Sequence, residues 1–156
     1  MGGRGAILRV MTAKELYEQD LFLWTVRNAE LIRAGRLEET DLEHIAEEIE
    51  DMGSSQERAL GNRLLVLVAH LLKMQVEPQS RASRGWKVTI ATKRFKIRRL
   101  LKRAPSLKNQ VAGEVAEVYH LAVGKAAAGT RLPETSFSET CPFTVEQILD
   151  DTFLPG

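Results

Sequence analysis

Cysteine is nearly absent from this sequence: Cys141 stands alone among 156 residues, so no internal disulfide can form and stability must come from a packed core. Net charge is nearly absent too. With 22 Lys and Arg against 21 Asp and Glu, no overall field steers the chain toward nucleic acid or a membrane. The longest apolar run, LLVLVAHLLKM from Leu64 to Met74, is roughly half of what a bilayer crossing needs. The first thirty residues hold no basic start followed by an apolar stretch, which argues against a secretory signal and makes a reducing cytoplasm, away from membranes, the expected compartment. Zinc-finger spacings, RNA-recognition strings, glycine-rich phosphate loops and nucleophile elbows are all missing, which leaves none of the familiar sequence signals for those chemistries.

What is there is helical periodicity around that apolar run. A chain of this length suits one domain that buries roughly two thirds of its unfolded surface, with Leu64–Met74 at its centre. Thr12 and Glu15 form a capping-box pattern that opens a first helix, and Gly35 closes it. Along it Tyr17, Leu21, Trp24, Asn28 and Leu31 share one face, with Asn28 as a polar member suited to fixing register. Thr40 with Glu43 opens the second helix, where Leu42, Ile45, Ile49 and Met52 continue the spacing. Gly53, Ser54 and Ser55 interrupt it, yet the pattern resumes and lasts to Pro78. One helix over that span would be about 55 Å long, so it must bend near Gly53 or carry its acidic first half to another partner.

Ser83 is placed to cap a third helix, with Trp86, Ile90, Ile97, Leu101 and Ala104 in one stripe. Pro105 stops it, Ser106 is placed to cap a fourth, and Leu107, Val111, Val115, Val118 and Ala122 give that helix its buried face up to Gly129. Beyond Thr130, three prolines and Phe137, Phe143 and Phe153 describe a strap, with Thr144 and Gln147 capping one short helix. The fold expected is all-α: a flexible tail over 1–11, a four-helix bundle over 12–129 and a C-terminal strap over 130–156.

The order of short strings along the chain carries a resemblance. YEQDLFLW at 17–24, DLEHIAEEIEDMG at 41–53, HLLK at 70–73, GWKVTI at 85–90, PSL at 105–107, LPETSF at 132–137, CPF at 141–143 and FLP at 153–155 together resemble the bacterial family of domain of unknown function twenty-nine, common in cyanobacteria and proteobacteria. The similarity runs from about residue 16 to the end. It implies a helical domain and supplies no reaction, cofactor or catalytic residue.

Charge is segregated along the chain. Eight acids and no Lys or Arg lie between Glu38 and Asp51, while eleven basic residues and no acid lie between Arg81 and Lys108. These segments could pair internally, guide a protein partner, or in the basic case bind nucleic acid through Lys87, Arg94, Arg98, Lys102 and Arg103. The preferred reading is a non-enzymatic helical module acting through protein contacts, as a homodimer or with another protein, with nucleic-acid binding as the alternative. For chemistry, Asp20, Glu48 and His70 are the candidate acid–base group, since a carboxylate beside a buried imidazole holds its tautomer. Glu117 and His120 have the spacing found in di-iron bundles, imitated by Asp41 and His44, but the third helix contains no acid to complete such a site. No metal or cofactor is expected. The residual metal reading uses His70 or His44 with Glu47, Glu48 or Asp20, and Cys141, before a proline, reads as a packed thiol.

Overall fold

A computed structural model describes residues 11–156, so all of the expected N-terminal tail except Met11 lies outside the described residues. Those residues are all-α, with no strand among them. Helices α1 (Ala13–Gln19), α2 (Leu21–Arg33), α3 (Leu42–Val76), α4 (Ser83–Arg103), α5 (Val111–Thr130) and the short α6 (Val145–Leu149) follow in order, with 3-10 turns at Leu37–Glu39, Pro105–Gln110 and Glu134–Ser136. The chain divides into two compact units, Met1–Ser54 and Ser55–Gly156, and α3 runs through both.

In the first unit the capping box forms: Thr12 Oγ1 accepts from the Glu15 N–H at 3.2 Å and the Glu15 carboxylate accepts from the Thr12 N–H at 3.1 Å. The expected single first helix is two helices. Asp20 adopts extended backbone (φ −156°, ψ 93°), ends α1, and its carboxylate accepts from the Leu23 N–H at 3.0 Å to start α2. A short acidic side chain that bonds its own downstream backbone favours a cap over a helix interior. The break turns Leu21 outward, 53% exposed, while Trp24, Asn28 and Leu31 stay buried. Gly35, at φ +73°, closes α2 in the left-handed conformation that glycine adopts without steric cost. Helix α3 then starts one residue later than the Thr40 pattern suggests, after Asp41. Thr40 instead turns its hydroxyl back to the Leu37 carbonyl.

Helix α3 continues unbroken through Gly53 for 35 residues. By length and composition it could cross a membrane, but 56% of its apolar window is buried inside the chain, as in a core helix. In the second unit Leu60, Leu64, Leu67, Val68, Leu71 and Leu72 are fully buried. They pack in one cluster with Trp86, Ile90 and Ile97 of α4, with Val111, Val115, Tyr119, Ala122 and Ala126 of α5, and with Phe137, Phe143 and Ile148 of the strap. Two caps differ from expectation: neither Ser83 nor Ser106 makes a side-chain cap, and Pro105–Gln110 forms a 3-10 turn before α5 begins. Helix α5 also runs past Gly129, and Arg131 takes the left-handed turn at φ +59°.

A buried cation anchors the strap. Arg94 lies on the α4 stripe and is 3% exposed. Its guanidinium donates to the carbonyls of Ile148 (2.8 Å), Phe153 (2.8 Å) and Gln147 (3.0 Å). Thr144 and Gln147 make the expected capping box at α6, and Phe153 meets Phe143 edge to face at 5.9 Å.

Candidate functional site

In the first unit, α1, α2 and the start of α3 tie themselves together around Asp41, which is 4% exposed. Its Oδ2 accepts from the Trp24 indole N–H at 2.9 Å and lies 2.7 Å from His44 Nδ1. Its backbone N–H donates to Asn28 Oδ1 at 2.8 Å, while Asn28 Nδ2 donates to the Trp24 carbonyl at 2.8 Å. Asn28 therefore finds partners on both sides and fixes how α2 meets α3, as a register residue does. Burial opposes ionisation of Asp41, but the bonds from Trp24 and His44 outweigh it and hold the carboxyl below its usual range. An ionised carboxylate accepts only, so His44 Nδ1 is the donor. Tyr17 stacks on His44 at 3.8 Å, and its hydroxyl donates to Glu48 Oε1 at 2.7 Å. That bond removes the hydroxyl proton from reach and pushes the phenol up to about 12.

This arrangement orients an imidazole, but no nucleophile is hydrogen-bonded to His44 among the described residues. Its work is to position α3, and α3 then presents an apolar stripe outward. Leu42, Ile49 and Met52, which continue the apolar spacing in the sequence, are 57%, 62% and 62% exposed. With Ala46 and Gly53, both exposed, Leu42 and Ile49 repeat at spacings of four and three, the pattern of a helix seam without its partner. Glu43, Glu47 and Glu50 follow one edge of that seam.

Helix α4 in the second unit carries a matching stripe of opposite sign. Val88 and Phe95 are 63% and 51% exposed, Ala91 lies between them, and Lys87, Lys96, Arg98 and Arg99 flank them. The Arg99 guanidinium sits 5.8 Å from the Phe95 ring centre, shielding one edge of an otherwise bare aromatic.

The residues singled out from sequence fall in different places. Asp20 and Glu48 belong to the first unit and His70 to the second. Each is engaged locally: Asp20 caps α2, Glu48 holds Tyr17, and His70 Nδ1 donates to the Val66 carbonyl at 2.8 Å. Of the basic set, Lys87, Arg98, Lys102 and Arg103 are exposed. Arg94 is not available as a phosphate or partner contact, because burial and three strap carbonyls consume its guanidinium. Arg98 pairs with Asp151. No group of three His, Cys, Asp or Glu close enough to share a metal occurs among the described residues. A groove of about 360 Å³ between α5 and the strap is lined by Val115, Tyr119, Cys141, Phe143 and Ile148. Burial pushes the Cys141 thiol up, which suits packing and not nucleophilic attack.

Comparison with known proteins agrees with this architecture. The family described as Domain of unknown function DUF29 matches residues 16–154, nearly the span of the resemblance seen in the short strings. The chain is also similar to the crystal structure of an alpha-helical protein of unknown function from Rhodospirillum rubrum ATCC 11170, at 26% identity and a TM-score of 0.62, over 88% of this chain and 90% of that one. No curated protein matches.

Proposed function

Because the chain belongs to the DUF29 family, whose description assigns a domain and no chemistry, we propose from its surface that it is a self-associating helical module. In this reading the acidic seam of one copy docks against the basic seam of a second. The observation that carries the proposal is the pairing of opposite charge with exposed apolar spacing. Leu42 and Ile49 on the acidic segment lie seven residues apart, and so do Val88 and Phe95 on the basic one.

Apolar side chains at helix-seam spacing supply the affinity, each burying enough surface for about 1.5–3 kcal/mol when fully covered. The charges select the partner and the orientation. Among the described residues, Lys14 takes Glu43, Arg36 takes Glu39 and Asp151 takes Arg98. Glu47, Glu50, Lys87, Lys96 and Arg99 make no ion pair there and are open to a second chain. Reciprocal exchange of the two seams between two copies is the smallest assembly that leaves neither seam uncovered.

Light scattering and sedimentation of the full chain at low and high salt test this. The expected result is a dimer at low salt that dissociates as salt screens the flanking charges. Ile49→Lys and Phe95→Glu should each yield monomers with unchanged helix content. A monomer at both salts, or a dimer that both substitutions leave intact, overturns the proposal.

A further inference from the structure

Between α5 and the strap the second unit holds two adjoining cavities of opposite character. The first, about 360 Å³, is walled by Ala112, Val115, Ala116, Phe143 and Ile148, with the Cys141 thiol in its lining. The second, about 420 Å³, is bordered by the polar side chains of His120, Glu134, Thr135 and Ser138. Tyr119 and Glu139 line both, so the two form one groove with an apolar end and a polar end. Each volume lies within the range of about 300–1,000 Å³ that small-molecule pockets occupy.

The junction is held by the core. Tyr119 is 6% exposed, and its hydroxyl donates to the Ser138 carbonyl at 2.7 Å, which pins the strap to α5 where the cavities meet. Val115, Phe143 and Ile148 are buried, so packed side chains set the shape of the apolar end. At the polar end the Glu134 carboxylate rests against α5: a Cβ added to Gly124 would stand 3.6 Å from its Oε1. Neither Glu134 nor Glu139 makes an ion pair among the described residues. These carboxylates and His120 do not converge closely enough to share a metal ion. An ammonium asks less of them, because it brings its own donors and needs one carboxylate at hydrogen-bond distance.

We propose that this groove binds a small organic amine, with its apolar body in the first cavity and its ammonium on Glu139, where the two cavities join. Glu134 adds to the negative field beyond it. An amine fits better than an organic acid, since no Lys or Arg lines either cavity and an anionic head would face two carboxylates. It also fits better than a plain hydrocarbon, which gains nothing from the charge beside the apolar end. Burial of the body supplies most of the affinity, and the partly solvated ion pair sets the orientation. The groove lies wholly within the second unit and uses neither seam, so the inference stands whether or not the chain dimerises.

NMR titration of the full chain with 2-phenylethylamine tests this, with ethylamine as the head alone and 3-phenylpropionate as the same body with an anionic head. The phenyl amine should shift amides of residues 112–123 and 134–148. Ethylamine should bind about tenfold or more weakly, for want of the ring to bury. Phenylpropionate should bind more weakly than the amine. Ala116→Phe puts a ring into the first cavity from an exposed position on α5 and should abolish the shifts. Glu139→Gln should weaken binding by about threefold to fivefold, the size of a solvated ion pair, and helix ellipticity checks that both variants stay folded. Alkylation of Cys141, the sole thiol, by iodoacetamide should slow when the amine is present. No shift with the phenyl amine, equal binding of amine and acid, or undiminished binding by the folded Ala116→Phe chain overturns the inference.

Discussion

Replacing Arg94 by Met should release the C-terminal strap. The side chain is 3% exposed, and its three donated hydrogen bonds, at 2.8, 2.8 and 3.0 Å, all end on strap carbonyls. A hydrogen bond to a charged group is worth about 1.5–3 kcal/mol, and three of them sum to more than the strap can lose. The reason is that the strap has an escape: residues 147–153 can lift away and hydrate their carbonyls, at the expense of the burial of Ile148, Leu149 and Phe153. Uncovering one fully buried and two half-buried apolar side chains costs about 3–6 kcal/mol, and that ceiling is the expected loss for Arg94→Met. Arg94→Lys keeps the charge but replaces a planar fork by a single ammonium, so it should recover only a minor share of the loss. Urea unfolding followed by helix ellipticity gives the magnitude, and brief proteolysis with mass analysis shows whether cleavage moves to 140–156. If Arg94→Met costs less than about 1 kcal/mol and the strap resists protease as before, the clamp is not what holds it.

Three further outcomes follow from single features. Gly53 lies inside α3 with open space where a Cβ would stand, so Gly53→Ala should stabilise the monomer by about 0.5–1 kcal/mol; an unchanged or lower urea midpoint would contradict a continuous helix there. Asp41 has a folded pKa below its unfolded one, so its contribution is present above about pH 4 and is lost as pH falls through the folded value. Asp41→Asn should therefore flatten the acid limb of stability, and the Trp24 indole proton in NMR should lose its Asp41-dependent shift. The chain has two tyrosines, and both phenols are raised, Tyr17 by its bond to Glu48 up to about 12 and Tyr119 by burial. Absorbance titration at alkaline pH should show both phenolates forming later than that of a free tyrosine, and a single step at the free-phenol midpoint would place both hydroxyls in water.

Where the sequence pattern was local, it carried over to the structure. The capping boxes at Thr12 and Thr144, the stop at Gly35, and the stripe from Trp86 to Ile97 each depend on residues within a few positions of one another. The Asp20 break was also readable, since an aspartate three residues before Leu23 is a cap signal, but the apolar spacing around it masked the interruption. Arg94 had a signal of its own. It fills the gap between Ile90 and Ile97 on the inward stripe, so its place in the series marked it as buried despite its charge. The outward seam at Leu42 and Ile49 could not be told from a core face, because spacing shows that apolar residues share a side and not what covers that side.

The single-piece construction of α3 has a mechanical consequence. Its hydrogen-bond ladder is shared by both compact units, so melting of the first need not stop at a loop; it advances along the helix as a fraying front. Gly53 and the serines beside it are the weakest rungs on that path. A chain stressed by heat or tension should yield there first, shedding residues 42–54 as coil while the leucine-rich remainder holds.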